Sequence, residues 1–172
     1  MGKMKYTPIG KTGVHASILS LGAMTFGEKN TWKLGGLDQI TVDKMVKHAI
    51  DQGVNLFDTA DVYDEGESEK TLGKALKPYR DQVLVATKAR GKMGPGINEV
   101  GLSRHHIRTA IRKSLERLDT NWVDIYQFHS WDAHVPLDES LETMQDLVEE
   151  GLVNYPGISN FTAWQIATLQ AR

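Results

Sequence analysis

A carboxylate, a phenol, an ammonium and an imidazole occupy comparable places along this chain of 172 residues. Asp58 and Tyr63 follow the short apolar run 54–57, Lys88 ends the run 83–88, and His129 follows the run 123–128. A phenol of reference pKa ~10 is a poor proton donor near neutral pH unless its anion is stabilised. A neighbouring ammonium does that, and a carboxylate can hold the ammonium in place. An imidazole beside the phenol can orient a carbonyl oxygen and assist proton delivery. The four groups together would polarise and protonate a carbonyl. Each alone has a plainer explanation. Asp58-Thr59 makes a turn or a helix cap, Tyr63 a loop aromatic, Lys88 a stem that snorkels to solvent, and His129 a satisfied core histidine.

Whether the four meet depends on the elements that carry them. Residues 5–16 form two extended pieces around the turn Gly10-Lys11-Thr12-Gly13, and residues 17–24 a first buried strand, with a loop around Met24-Thr25-Phe26 after it. Val42, Met45, Val46, Ala49 and Ile50 recur at helical spacing within 37–52, and Gly53 is placed to end that helix. After the strand 54–57, Ser68 caps a short helix carrying Leu72, Ala75 and Leu76, which Pro78 closes. A third strand covers 83–88. Ser103 then caps a helix with Ile107, Ala110, Ile111, Ser114, Leu115 and Leu118 on one face. The strand 123–128 follows, then a helix with Pro136 as its first residue and Gly151 at its end, the strand 152–158, and a last helix through Trp164, Ile166 and Leu169. Such alternation forces parallel strands with right-handed crossovers, and the fold class is α/β. Strands buried on both faces fit a (β/α) barrel or a doubly wound sheet. In either, the residues just past the strands' carboxyl ends line the active-site face.

Composition limits the possible partners. The chain carries 20 Lys plus Arg against 22 Asp plus Glu, a net charge of -2, so bulk charge makes no case for nucleic acid or an anionic membrane. Cysteine is absent, which excludes disulfides and thiolate metal sites. The first six residues lack the apolar region of a signal peptide, no run approaches ~18 apolar residues, and a cytoplasmic protein is expected. His105-His106 and His129 with His134 lack partner spacing for zinc, so no metal is expected. Lys5 stands where a phosphate-binding loop ending in Gly10-Lys11-Thr12 needs glycine, and Gly94-Pro95-Gly96 neither matches G-x-G-x-x-G nor opens a helix.

Phe57-Asp58-Thr59-Ala60-Asp61-Val62-Tyr63, Ala86-Thr87-Lys88, Tyr126-Gln127-Phe128-His129 and Gly157-Ile158-Ser159-Asn160-Phe161, in this order, resemble the aldo-keto reductase family. Leu21-Gly22-Ala23-Met24-Thr25-Phe26-Gly27 and Gly101-Leu102-Ser103-Arg104 resemble it too. The resemblance implies a (β/α)8 TIM barrel, of which residues 1–172 hold about the first five βα units behind an N-terminal β-hairpin, incomplete at the carboxyl end. It implies NADPH-dependent reduction of aldehydes or ketones, with Tyr63 as general acid, Lys88 and Asp58 as its tuning pair and His129 as substrate orienter. It further implies that Ser159 and Asn160 bind the nicotinamide carboxamide, and that Met24, Thr25 and Asp58 lie along NADP(H).

In the family, the later units carry the stacking aromatic, the pyrophosphate loop and the residues that read the 2′-phosphate. Their absence here implies either a fragment or a second chain that completes the barrel, and an exposed edge strand. Pro156 stands where the family generally has an apolar residue, and proline belongs on an edge. Channel-associated subunits of the same family suggest a second reading, a non-catalytic binding or regulatory subunit, and an inactive half barrel is a third. The intact His129 favours the reductase. Trp32, Trp131 and Met24 could wall a carbonyl pocket, although stray aromatics are the ordinary reading.

Overall fold

The computed structural model describes residues 3–172, so the first two residues of the amino-terminal stretch read above lie outside the described ones. An antiparallel hairpin, β1 (Tyr6–Pro8) with β2 (His15–Ser17), precedes a parallel sheet of five strands. These are β3 (Leu21–Gly22), β4 (Leu56–Asp58), β5 (Leu84–Ala89), β6 (Val123–Phe128) and β7 (Val153–Ile158), adjacent in space in the order they occur in the chain. The helices are α1 (Gln39–Asp51), α2 (Glu67–Leu76), α3 (Arg104–Leu118), α4 (Leu137–Glu149) and α5 (Ala163–Gln170). The expected strand and helix alternation is therefore present, and the sheet is the α/β arrangement of part of a TIM barrel. No helix among the described residues is long and apolar enough to cross a membrane.

The pleat sorts the strand residues between two faces. On β5, Thr87 faces the helices, since its hydroxyl donates to Glu69 of α2 at 2.6 Å. Lys88, the next residue, therefore faces the opposite side of the sheet. Phe57 and Val85 join Leu72, Leu76, Ile107, Ile111 and Leu147 in the core under the helices. Burying the five helix side chains among these at ~1.5–3 kcal/mol each supplies much of the drive for docking the helices. α2 and α3 approach closely at Gly73, where a Cβ would lie 2.5 Å from the Leu118 carbonyl oxygen. The hairpin covers the end of the sheet opposite the strands' carboxyl ends: Ser17 N donates to Asn55 Oδ1 at 2.7 Å, and the Tyr6 hydroxyl donates to Gly53 O at 2.8 Å.

Three local expectations change. The first strand is two residues long rather than spanning 17–24, because Ser17 belongs to the hairpin, and Ile18 and Leu19 lie 58% and 61% exposed. Ser68 sits inside α2 rather than capping it. Its fully buried hydroxyl donates to Ala23 O at 2.6 Å and meets Thr59 Oγ1 at 2.7 Å, and so is unavailable to the helix terminus. Pro136 is the residue before α4 rather than its first. Pro156 lies opposite Tyr126 in β7, which has β6 on one side only, the position where a strand tolerates a missing donor.

Candidate active site

The carboxyl ends of β4, β5 and β6 bring Asp58, Lys88 and His129 to one face. Lys88 is only 5% exposed, and its Nζ donates to Asp58 Oδ2 at 2.7 Å and to the Thr59 carbonyl at 2.8 Å. Gln127, in register beside Lys88, donates to the other Asp58 oxygen at 3.4 Å. The buried ammonium thus has two acceptors, and the carboxylate that balances it is held from both sides. Tyr63 begins a tight turn, Tyr63–Gly66, and its ring centroid lies 5.1 Å from Lys88 Nζ. The His129 ring meets it edge to face at 5.6 Å, and the Trp32 ring does so at 5.8 Å. All four candidate groups of the proton-transfer set therefore converge, with the phenol between ammonium and imidazole.

The turn that presents Tyr63 has an unusual backbone. Asp64, Glu65 and Gly66 adopt φ of 50°, 57° and 88° in succession, the left-handed region. Asp64 Oδ1 stabilises it by accepting from both the backbone N–H and the hydroxyl of Thr31, each at 2.8 Å. Burial works to raise the Asp64 pKa, but the Thr31 bonds together with the Asn30 and Lys29 N–H groups outweigh it and hold the carboxyl below its ordinary value. The same contacts fasten the loop carrying Trp32 against Tyr63. Met24 and Thr25 line a small cleft there with Trp32 and Asp64.

Ser159 and Asn160 stand at the end of β7, across the sheet from Met24 and Thr25. Ser159 N donates to Phe128 O at 2.8 Å. Asn160, with φ of 57°, donates from Nδ2 to His129 O at 2.9 Å and to Ser159 Oγ at 3.0 Å. The Ser159 hydroxyl hydrogen and Asn160 Oδ1 have no partner among the described residues. One donor beside one acceptor is the complement of a primary carboxamide. Trp131 packs instead on Phe161 and Trp164, so of the two tryptophans singled out only Trp32 touches the set.

Burial, and then the Lys88 ammonium, push the His129 pKa below its ordinary value against the opposing pull of Asp58. The folded ring is consequently neutral at pH 7 and can donate a single hydrogen bond. The unfolded chain takes up this proton at higher pH than the folded one. Stability due to this group is thus present above pH ~6.5 and declines as pH falls toward the folded pKa. Urea unfolding between pH ~7.5 and ~5 should show the wild type losing stability faster than His129→Gln. Parallel curves would refute a half-buried neutral ring.

Beneath this face lie buried charges that are not among the candidate site residues singled out in the sequence. Glu69 is fully buried and accepts from Arg117 Nε at 2.6 Å, while Asp61 is fully buried a few residues away. One signal was available: Glu69 shares the i, i+3, i+7 face of Leu72 and Leu76.

Residues 18–172 match the sequence pattern described as the Aldo/keto reductase family. The chain is 39% identical to the aldo-keto reductase YhdN of Bacillus subtilis over 98% of its own length and 50% of that protein's. It is 36% identical to a probable voltage-gated potassium channel subunit beta of Arabidopsis thaliana, over 95% of this chain and 48% of the relative. An aldo-keto reductase of Bacillus halodurans in its holo form superposes with a TM-score of 0.84 at 32% identity, covering 98% of this chain and 54% of that one. The chain spans about half the length of the relatives it matches.

Proposed function

Since the chain belongs to the aldo/keto reductase family, a family of oxidoreductases, we propose that it reduces aldehyde or ketone carbonyls to alcohols with NADPH. The observation that carries this reading is the placement of Lys88 Nζ, bound to Asp58 at 2.7 Å and 5.1 Å from the centre of the Tyr63 ring. Tyr63 holds the proton that the carbonyl oxygen receives. The Lys88 ammonium offsets the negative charge left on the phenol oxygen, and Asp58 and Thr59 O fix the ammonium. Neutral His129 orients the carbonyl by donating a hydrogen bond. The nicotinamide, when bound, supplies hydride. Ser159 and Asn160 fit its carboxamide through the free hydroxyl hydrogen and amide oxygen, and Met24 and Thr25 lie on the other flank. A carbonyl substrate is a small molecule, and neither nucleic acid nor membrane enters this scheme. The protein works in the cytoplasm.

Two measurements on the chain test this: NADPH oxidation with an aromatic aldehyde, and NADPH binding by quenching of tryptophan fluorescence. Binding with turnover is the expected result. Binding without turnover transfers the argument to a non-catalytic subunit, the reading favoured by the match to a potassium channel subunit beta. No binding at millimolar NADPH favours the third reading, a half barrel with no activity of its own.

A further inference from the structure

Asp61 lies two residues before Tyr63, is fully buried, and has no hydrogen-bond partner for either carboxyl oxygen among the described residues. Its backbone N–H donates to the Lys88 carbonyl at 3.1 Å, so the loop from 59 to 63 is stitched to β5 through this residue. The charged groups around it bond other residues. From α3, Arg117 donates Nε to Glu69 at 2.6 Å and its terminal nitrogen to Ser114 Oγ at 3.2 Å. From β5, Lys88 is taken by Asp58 and Thr59 O. From α2, Glu69 adds a second buried negative charge. From β6, Tyr126 brings a buried hydroxyl that has no partner either. Asp61 also lines a cleft whose other titratable walls are Glu65, Glu99, His105, His106, Lys113 and the same Arg117. Lys113 faces Glu99 at 3.4 Å, and burial lowers the His106 pKa, so neither supplies a free cation.

A carboxylate buried without cation or donor costs several kcal/mol, and neutralisation is the usual escape. We propose that Asp61 is a positioning residue, held as an uncharged carboxylic acid in the folded protein at neutral pH, and that loss of its proton displaces the loop carrying Tyr63. Burial and then Glu69 push its pKa up to about 8, with Arg117, a Val62 N–H that lies near it outside hydrogen-bonding geometry, and Lys88 opposing only in part. The Tyr126 phenol, raised well above its ordinary value by burial and then by Asp61 and Glu69, keeps its own proton throughout. Ionised Asp61 would need water or a cation, and moving toward either shifts residues 59–63. This inference rests on the proposed function only in treating Tyr63 as the acid; the protonation stands without it.

The test is NMR on the full chain, following 13C-labelled aspartate carboxyls together with the amides of 59–63 and the Tyr63 ring from pH ~4 to ~9.5. One carboxyl, missing from Asp61→Asn, should stay protonated beyond pH ~6 and titrate near 8, with the loop and ring shifting at the same midpoint. In Asp61→Asn that loop shift should vanish. If Asp61→Asn does not fold, Glu69→Gln serves instead, because removing the neighbouring negative charge lowers the midpoint of the same carboxyl. Aspartates all ionised by pH ~6, a loop that stays still through the titration, or a midpoint indifferent to Glu69→Gln would each overturn the proposal. No turnover is needed, so a chain that fails to reduce carbonyls leaves the result readable.

Discussion

Tyr63→Phe is expected to cut NADPH-driven carbonyl reduction by ~10²- to 10⁴-fold, with cofactor binding nearly unchanged. The change deletes one oxygen and keeps the ring that sits between His129 at 5.6 Å and Trp32 at 5.8 Å, so packing around the site is preserved. Lys88 stays paired with Asp58 and Thr59 O, neither of which contacts the phenol oxygen. The loss should therefore fall on kcat rather than on KM, as expected when an interaction made only in the transition state is removed. Steady-state rates for the two proteins with one aldehyde decide the matter. Equal kcat values would take the acid role from Tyr63.

The largest expected effect on stability lies on the helix side of the sheet. Arg117→Met leaves Glu69, whose side chain is fully buried, with Thr87 as its remaining hydrogen-bond partner. Breaking a buried pair by removing one partner costs about 3–5 kcal/mol, because the remaining charge is uncompensated. The guanidinium also lies against the loop, since a Cβ on Gly66 would meet Arg117 Cδ at 2.7 Å, so lost packing adds to the loss. Urea midpoints should fall accordingly. Glu69→Gln introduced beside Arg117→Met should recover a large part of the deficit, and a double-mutant cycle measures how much. A single variant as stable as wild type would show that the pair contributes nothing.

The part of the site that could be read from residue order is the part that parallel topology dictates. Once strands 54–57, 83–88 and 123–128 are parallel neighbours, Asp58, Lys88 and His129 must share a face, whatever the detail of their side chains. The helix face from Ile107 to Leu118 was equally legible, because each of its apolar positions is buried as its spacing requires. What could not be read depended on contacts distant in sequence. Ser68 looks like a cap until Ala23 and Thr59 claim its hydroxyl, and residues 17–24 look like one strand until the hairpin takes Ser17. Asp61, Glu69 and Arg117 are charged residues that composition assigns to the surface. Only the packing of α2 and α3 on the sheet encloses them. Trp32 reads as a stray aromatic, and it reaches Tyr63 through the bonds of Asp64 to Thr31.

The strand order β3-β4-β5-β6-β7, each strand beside its predecessor, also bears on how the chain acquires its structure during synthesis. Every new strand finds its pairing partner among residues already made, and none must wait for a later segment to be inserted between two earlier ones. Domains generally fold from the amino terminus as they emerge, and short-range pairings close fastest. Asp58 and Lys88 are both made before His129, so the order of synthesis presents the two members of the ion pair ahead of the imidazole.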